Sequence, residues 1–476
     1  MAARRTRALR KSVAALALLA LGVGCLSSCS AGESKQKPRH ITYWEKWTGF
    51  EAEAMDAVID DFNAREVAHA KVDSSYAPIE VERVTISNVE QKLLIAIAGG
   101  NPPDLAGNYS FYVPAYADGG ALTELGPLLQ KAGFDRSAYI EHYVKLGEYR
   151  GKTWAVPIVP ASIALLTNKR LFREAGLDPE RPPKTIEELD AFAEKLTKWE
   201  VTLPNGDKQL ETGYLPGVPA AQKRLVQAGF LPGEPGWWSY GWGYFFGGSL
   251  LEGPDKISAA APANVHAFDW VASYSKNLGK GVTKRFRSGF GNSASPQNAF
   301  LSGKVAMVLQ GVWMHNFIEK YSPGMQWGAA PFPYPAGHPE LANTTDAEAD
   351  VLVIPKDSPH PAEALAFIEY VSQQQVLEKL CLRQQKFTPL KNVSEEFWRA
   401  HPNPYIRLFR ELGMSKNAFS IPQTGIWNEY NRELSNAVDL IQNLTEPPNE
   451  ALEEVQTKMQ AALDRNRRIL ARRSSQ

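Results

Sequence analysis

Ten consecutive residues, Trp237 to Phe246, carry seven aromatic side chains in a chain that is 10% aromatic overall, and three of its 12 tryptophans lie among them. Indole and phenol rings offer broad apolar faces with a polar edge, suited to stacking on the C–H faces of a sugar or on a planar ligand. Gly241 and Gly243 between the rings let a ligand or a neighbouring backbone come close. The same composition equally suits a buried aromatic core segment. Trp238, Tyr240, Trp242 and Tyr244 alternate as in a strand. Pro235 before the run and Gly247-Gly248 after it are helix punctuation, with Trp238, Trp242 and Phe245 on one face, and favour a helix.

The other residues with chemical potential form no complete catalytic set. Gly147 to Thr153 is one residue short of a phosphate-binding loop, and a strand rather than a helix follows it. Gly241-Trp242-Gly243 lacks the third glycine of a dinucleotide fingerprint, and Gly247 to Leu251 fails the nucleophile-elbow pattern. The eight histidines are scattered without paired metal-ligand spacing, so neither a metal nor a cofactor is expected. A carbohydrate-active enzyme needs two carboxylates about a scissile bond. Glu45, Asp346 and Asp350 are the available acids, and a secreted enzyme of that class is the alternative to a binding protein.

The elements that must position these residues alternate between strand and helix. Ile41 to Trp44 reads as a strand, followed by a helix with Met55, Ile59 and Phe62 on its buried face. A strand near Val81 to Ile86 leads to a capping box, Ser87 with Glu90, and a helix burying Val89, Leu93 and Ile97. A third strand ends in the loop Gly107-Asn108-Tyr109. Such alternation implies a mostly parallel sheet, with ligands met at the carboxyl ends of its strands. That places Trp44, Glu45, Asn108 and Tyr109 at one rim. Downstream, Ile163 to Thr167 is a strand, and Thr185 with Glu188 caps a helix through Leu189, Phe192 and Leu196. Glu200 to Gly217 reads as a surface excursion. Pro296 opens a short helix ended by Gly303, Lys304 to Leu309 is a strand, and Pro331 to Gly337 is a crossing segment. Val351 to Ile354 is a further strand, and helices through Leu434 and Leu452 close the chain.

The chain has 476 residues with 52 basic and 52 acidic side chains, enough for two or more domains. Arg4 to Lys11 is basic and Ser12 to Gly24 apolar, too short to span a membrane but fitting a secretory signal. Leu26-Ser27-Ser28-Cys29 then resembles the bacterial lipobox, with Cys29 as the lipidated residue. Residues 1–28 carry five basic and no acidic residues, so their removal leaves 47 against 52. That balance argues against nucleic acid. Of the three cysteines, Cys381 between Leu380 and Leu382 reads as a core residue.

Several motifs, in order, resemble the sugar-type extracellular solute-binding proteins of bacterial ABC importers, the group that includes maltodextrin-binding proteins. They are Gly99 to Leu105, Tyr116 to Leu122, Gly151 to Pro157 with Thr167 to Gly176, Pro183 to Leu189, and Phe300 to Met307 through Gly311-Val312-Trp313. Thr167 departs from the tyrosine the family often carries there. The resemblance implies a two-lobed α/β fold of the type II periplasmic-binding-protein kind, with ligand held in a cleft between lobes joined by a hinge. It divides the chain into a signal peptide (1–28), a tether (29–40), a first lobe (41–158 and 326–388) and a second (159–325 and 389–470). By the same resemblance, Trp313, Trp427 and Trp238 or its neighbours, Trp242 among them, stack on sugar. Trp44-Glu45 and Asn108-Tyr109 donate polar contacts. A monomer in the cell envelope is implied, periplasmic or extracytoplasmic and lipid-anchored to the membrane. Its partners would be a sugar or oligosaccharide and the permease subunits.

Overall fold

The computed structural model describes residues 36–291 and 294–474; the signal segment, Cys29 and most of the tether lie outside them. Eight strands form the central sheet: β1 (Arg39–Glu45), β2 (Ile79–Thr85), β3 (Leu105–Tyr109), β4 (Val156–Asn168), β5 (Met307–Gly311), β6 (Trp327–Ala330), β7 (Thr345–Val353) and β8 (Ala418–Phe419). Their order is β5-β4-β7-β3-β1-β2, with β6 also on β4 and β8 on β7. The pairs β1–β2 and β1–β3 are parallel, while β7 runs antiparallel to β3 and β4.

Parallel neighbours need crossovers, and helices supply them. Helix α1 (Phe50–Val72) joins β1 to β2 and buries Met55, Val58, Ile59 and Phe62, the expected face. Helix α2 (Val89–Ala98) joins β2 to β3 and buries Val89 and Leu93. Its expected capping box does not form. Asn88 takes the cap position in the left-handed region, with φ 54°, and makes no side-chain cap bond. Helix α3 (Ile186–Leu196) does use its cap, the Thr185 hydroxyl accepting from the Glu188 amide at 3.2 Å.

Strand β4 explains the two-lobed shape. Its 13 residues are almost all buried, as expected of a strand covered on both faces. Val156, Ile158 and Val159 belong to one core with Tyr43, Met55, Phe62 and Phe367. Ile163 and Leu165 belong to another with Phe172, Leu189, Phe268 and Leu434. Ala164, Leu166, Ala347, Ala349 and Val351 form a third cluster at the junction. The chain therefore crosses between lobes along β4 and β7, and again between Phe397 and Ile421, not along Pro331 to Gly337. Helices α4 (Pro262–Leu278), α5 (Trp427–Gln442) and α6 (Pro448–Ser474) surround the second core.

Other expectations are corrected. The strand expected over Lys304 to Leu309 occupies Met307–Gly311. Pro296 to Gly303 forms turns rather than a helix, with the Asn298 side chain accepting from the amides of Phe300 and Leu301. The expected excursion at Glu200 to Gly217 contributes to a three-stranded antiparallel sheet, Lys198–Thr202 with Lys208–Thr212 and Lys223–Gln227. It packs through Trp199, Val201 and Leu225. Strand β6, expected in the first lobe, pairs with residues 165–168 of β4, and Phe397, expected in the second, is buried in the first core.

Candidate functional site

The site is built around β7. Thr345-Asp346-Ala347-Glu348-Ala349-Asp350 alternates small and acidic residues, and strand geometry sends every second side chain to the same face. Ala347, Ala349 and Val351 fill the junction core. Asp346, Glu348 and Asp350 therefore line the other face as an acidic ladder, running from the second lobe towards the first.

Each rung meets different groups. At the first-lobe end the Asp350 carboxylate holds the Lys46 ammonium at 2.8 Å, with Lys386 at 3.8 Å. Lys386 also pairs with Glu51 at 2.6 Å. Burial opposes the charge on Lys46, but Asp350 and Glu45 outweigh it and raise the pKa above the usual lysine value. Lys46 lies 4.4 Å from the Tyr109 ring centroid and 5.1 Å from that of Trp47, within cation–π range. At the middle rung, Glu348 accepts from the Ser110 hydroxyl at 2.5 Å and the Ile421 amide at 2.6 Å. At the second-lobe end, Asp346 accepts from the Tyr240 hydroxyl at 2.9 Å. Burial raises both Asp346 and Glu348 above the carboxylate range, and Asp346 raises Glu348 further. Glu348 keeps a little accessible surface, yet protein encloses it so deeply that desolvation dominates.

Aromatic rings cluster in both lobes. Tyr109, 41% exposed, stacks on Phe111 at 5.2 Å and 5°. Phe111 in turn packs against the second-lobe core. Trp237, Trp238 and Trp313 form a triad with centroids 5.6–6.1 Å apart. Trp237 is 51% exposed. Gly311 makes room for this triad, because a Cβ there would fall 2.2 Å from the Trp313 indole.

The expected site residues separate into different roles. Tyr109 lies beside the ladder, paired with Asp350 across the sheet and under Lys46, while Trp238 and Trp313 belong to the triad. Glu45 is fully buried, its oxygens taken by the Tyr43 hydroxyl, the Lys46 amide at 2.8 Å and the Lys46 ammonium at 3.3 Å; it positions Lys46. Gly107 leaves space for that carboxylate, since a Cβ would lie 1.8 Å from Oε2. Trp44 points to the opposite face of β1, into the junction core. Asn108 has both ends engaged, donating to the Tyr116 hydroxyl at 2.9 Å and accepting from the Tyr109 amide at 2.8 Å. Trp427 is buried against Tyr240 and Tyr430. Trp242 is fully buried among Phe230, Phe245, Trp270 and Phe332; it packs the second core. The expected helix in this run shrinks to a 3-10 turn, Ser239–Gly241, and one helical turn, Trp242–Phe245. Sequence reasoning missed Lys46, Ser110, Phe111 and Glu348, and within the aromatic run it set Trp242 rather than Trp237 beside Trp238. The Asp-Ala-Glu-Ala-Asp alternation is the signal that could have found the ladder.

Among the described residues no group of three or more His, Cys, Asp or Glu is placed to hold a metal, and no helix is long and apolar enough to cross a membrane. Two α/β lobes, two strands crossing between them and an acidic strip along one of those strands define a hinged binding protein. The chain belongs to the bacterial extracellular solute-binding protein family, whose profile matches residues 57–404. It is 25% identical over 356 residues to the sn-glycerol-3-phosphate-binding periplasmic protein UgpB of Rhizobium meliloti (strain 1021), covering 72% of this chain and 74% of that one. The solved structure of CpMnBP1 with mannobiose bound matches with a TM-score of 0.72 and 25% identity, over 89% of this chain and 99% of that one. An ABC substrate-binding protein from Listeria monocytogenes in complex with cycloalternan shares the fold, with a TM-score of 0.68 and 18% identity over 90% and 100% of the two chains. Membership of this family makes the protein an extracytoplasmic solute-binding protein.

Proposed function

We propose that the protein is the substrate-binding component of an ABC importer and captures an unphosphorylated carbohydrate between its lobes. The acidic ladder beside aromatic plates is the observation that carries this reading. Carboxyl groups exchange hydrogen bonds with sugar hydroxyls, and an ordinary hydrogen bond contributes about 0.5–1.5 kcal/mol. The Tyr109–Phe111 stack and the Trp237–Trp238–Trp313 triad offer flat faces to pyranose C–H groups. The polar and aromatic groups come from both lobes and the strand joining them, so a ligand touching all of them favours the closed form and drives closure.

The relatives named here differ in ligand, one a glycerol phosphate and another a mannoside. The charge of this cleft favours the second kind. Lys46 and Lys386 are already paired with Asp350, Glu45 and Glu51, whereas Asp346 and Glu348 have no cationic partner among the described residues. A phosphate carries about −1.5 to −2 charges near pH 7 and finds no unpaired cation beside these acids among the described residues. Catalysis is disfavoured by the same geometry, because same-face rungs of one strand point in parallel rather than flanking a scissile bond. Lipid attachment at Cys29 would hold the monomer near its permease, and it rests on the lipobox-like Leu26-Ser27-Ser28-Cys29.

Calorimetric titration of the mature protein with mannobiose, maltose and sn-glycerol-3-phosphate tests the reading. Binding of a neutral sugar, recovered unchanged, with no heat from the phosphate is expected. Tight binding of the phosphate alone, or accumulation of hydrolysis product, would overturn it.

A further inference from the structure

Glu348 joins three parts of the molecule. Its strand crosses between the lobes, Ser110 follows β3 in the first lobe, and Ile421 is buried in the second-lobe core. Two residues earlier on the same face, Asp346 is 5% exposed. One of its oxygens accepts from Tyr240 at 2.9 Å, while Oδ1 is buried with no hydrogen-bond partner among the described residues. A buried carboxylate oxygen without a donor is costly if ionised, and is relieved if the group carries a proton.

Among the described residues no positive charge pairs with either acid. Tyr240, Tyr244 and Tyr143 act on both acids as neutral phenols. His142 binds the Ala347 carbonyl at 2.8 Å, and burial lowers its pKa, so it is neutral at pH 7; Lys145 acts on that imidazole rather than on the acids. Arg410 acts on the Tyr143 phenol. Asp350, the next rung, is neutralised by Lys46. Two carboxyls enclosed together without a cation cannot both ionise at low cost.

We propose that Asp346 and Glu348 form a proton-linked latch: closing the lobes encloses them and takes up a proton from solvent, which the pair then retains. The proposal rests on the hinged-cleft reading and adds its regulation. In an open form the bridge from Ser110 through Glu348 to Ile421 is broken, and hydrated carboxyls titrate near their ordinary value of about 4. The closed form, with its raised values, binds more protons than the open form from there up to the enclosed pair's own pKa. Closure is therefore favoured as pH falls through that window, by up to about tenfold per pH unit for one proton. Below about pH 4 both forms are protonated and the dependence vanishes.

Small-angle X-ray scattering of the ligand-free mature protein at pH 5 and pH 8 reads the latch without reference to any ligand. The radius of gyration is expected to be smaller at pH 5. In the double variant Asp346→Asn, Glu348→Gln, whose amides are always neutral, it is expected to be the same at both. If that variant does not fold, Ser110→Ala cuts the bridge while keeping both acids, and should lose the compaction at pH 5. A wild type indifferent to pH, or variants that keep its response, would overturn the latch. Failure to bind any sugar would instead overturn the transport reading and leave the scattering result standing. With a bound sugar in hand, titration in two buffers of different ionisation enthalpy should show uptake approaching one proton, absent in the double variant Asp346→Asn, Glu348→Gln.

Discussion

Trp237 and Trp242 stand five residues apart in one aromatic run, and truncating each to alanine should have opposite effects. Trp237 leaves 51% of its surface open. With about 250 Å² for a large aromatic side chain, roughly 125 Å² is available, and a sugar covering one face takes about half of it. At ~25 cal/mol per Å² the lost burial is about 1.5 kcal/mol, roughly tenfold in Kd. Trp237→Ala should bind that much more weakly and unfold at the wild-type urea midpoint. Trp242 is fully buried, with four aromatic neighbours at 5.2–6.2 Å. Its indole N–H has no hydrogen-bond partner among the described residues, so truncation removes apolar contact and leaves a cavity. Trp242→Ala should cost roughly 3–5 kcal/mol of stability. Urea unfolding without ligand and calorimetric titration, run on both variants, separate the two. The reasoning fails if Trp237→Ala binds like the wild type, or if Trp242→Ala is as stable as the wild type yet loses binding.

Gly107→Ala places a Cβ 1.8 Å from the Glu45 carboxylate; the displaced side chain should cost about 1–3 kcal/mol by urea unfolding, whereas wild-type stability would mean Glu45 is free to move. Lys46→Met removes the direct partner of Asp350, leaving only Lys386 at 3.8 Å, and should destabilise by about 3 kcal/mol; a midpoint unchanged within error contradicts the network. Radiolabelled palmitate should enter the full chain in bacterial cells and not Cys29→Ala; equal labelling of both removes the proposed anchor.

The two-lobed scaffold was readable because its helices are amphipathic and capped by local chemistry. Met55, Ile59 and Phe62 recur on one face, and Thr185 holds the Glu188 amide three residues on. The site was less readable, and β7 shows why. Its N-terminal half is built of Asp, Glu and Ala, residues depleted in strands, so a strand was expected only from Val351. Pairing with residues 156–162 on one side and 106–109 on the other holds those acids in extended backbone. No local pattern announces that partnership. Lys46 was hidden for a similar reason, since a lysine beside a glutamate in a loop reads as a solvated pair until Asp350 arrives from 300 residues away.

The aromatic run carries the same lesson in reverse. Its composition marked it as important, but type and spacing could not say which ring is a floor and which a foundation. Trp242 is core because Phe230, Trp270 and Phe332 reach it from three distant segments. Trp237 is open because its neighbours Trp238 and Trp313 cover one side only. For Asp346, Glu348 and Asp350 too, chemistry is set by who faces them. Three carboxylic acids on one strand become one ion-paired anchor and two enclosed groups without a cation. That difference underlies both proposals, a preference for hydroxyls over phosphate and a closure tied to protons.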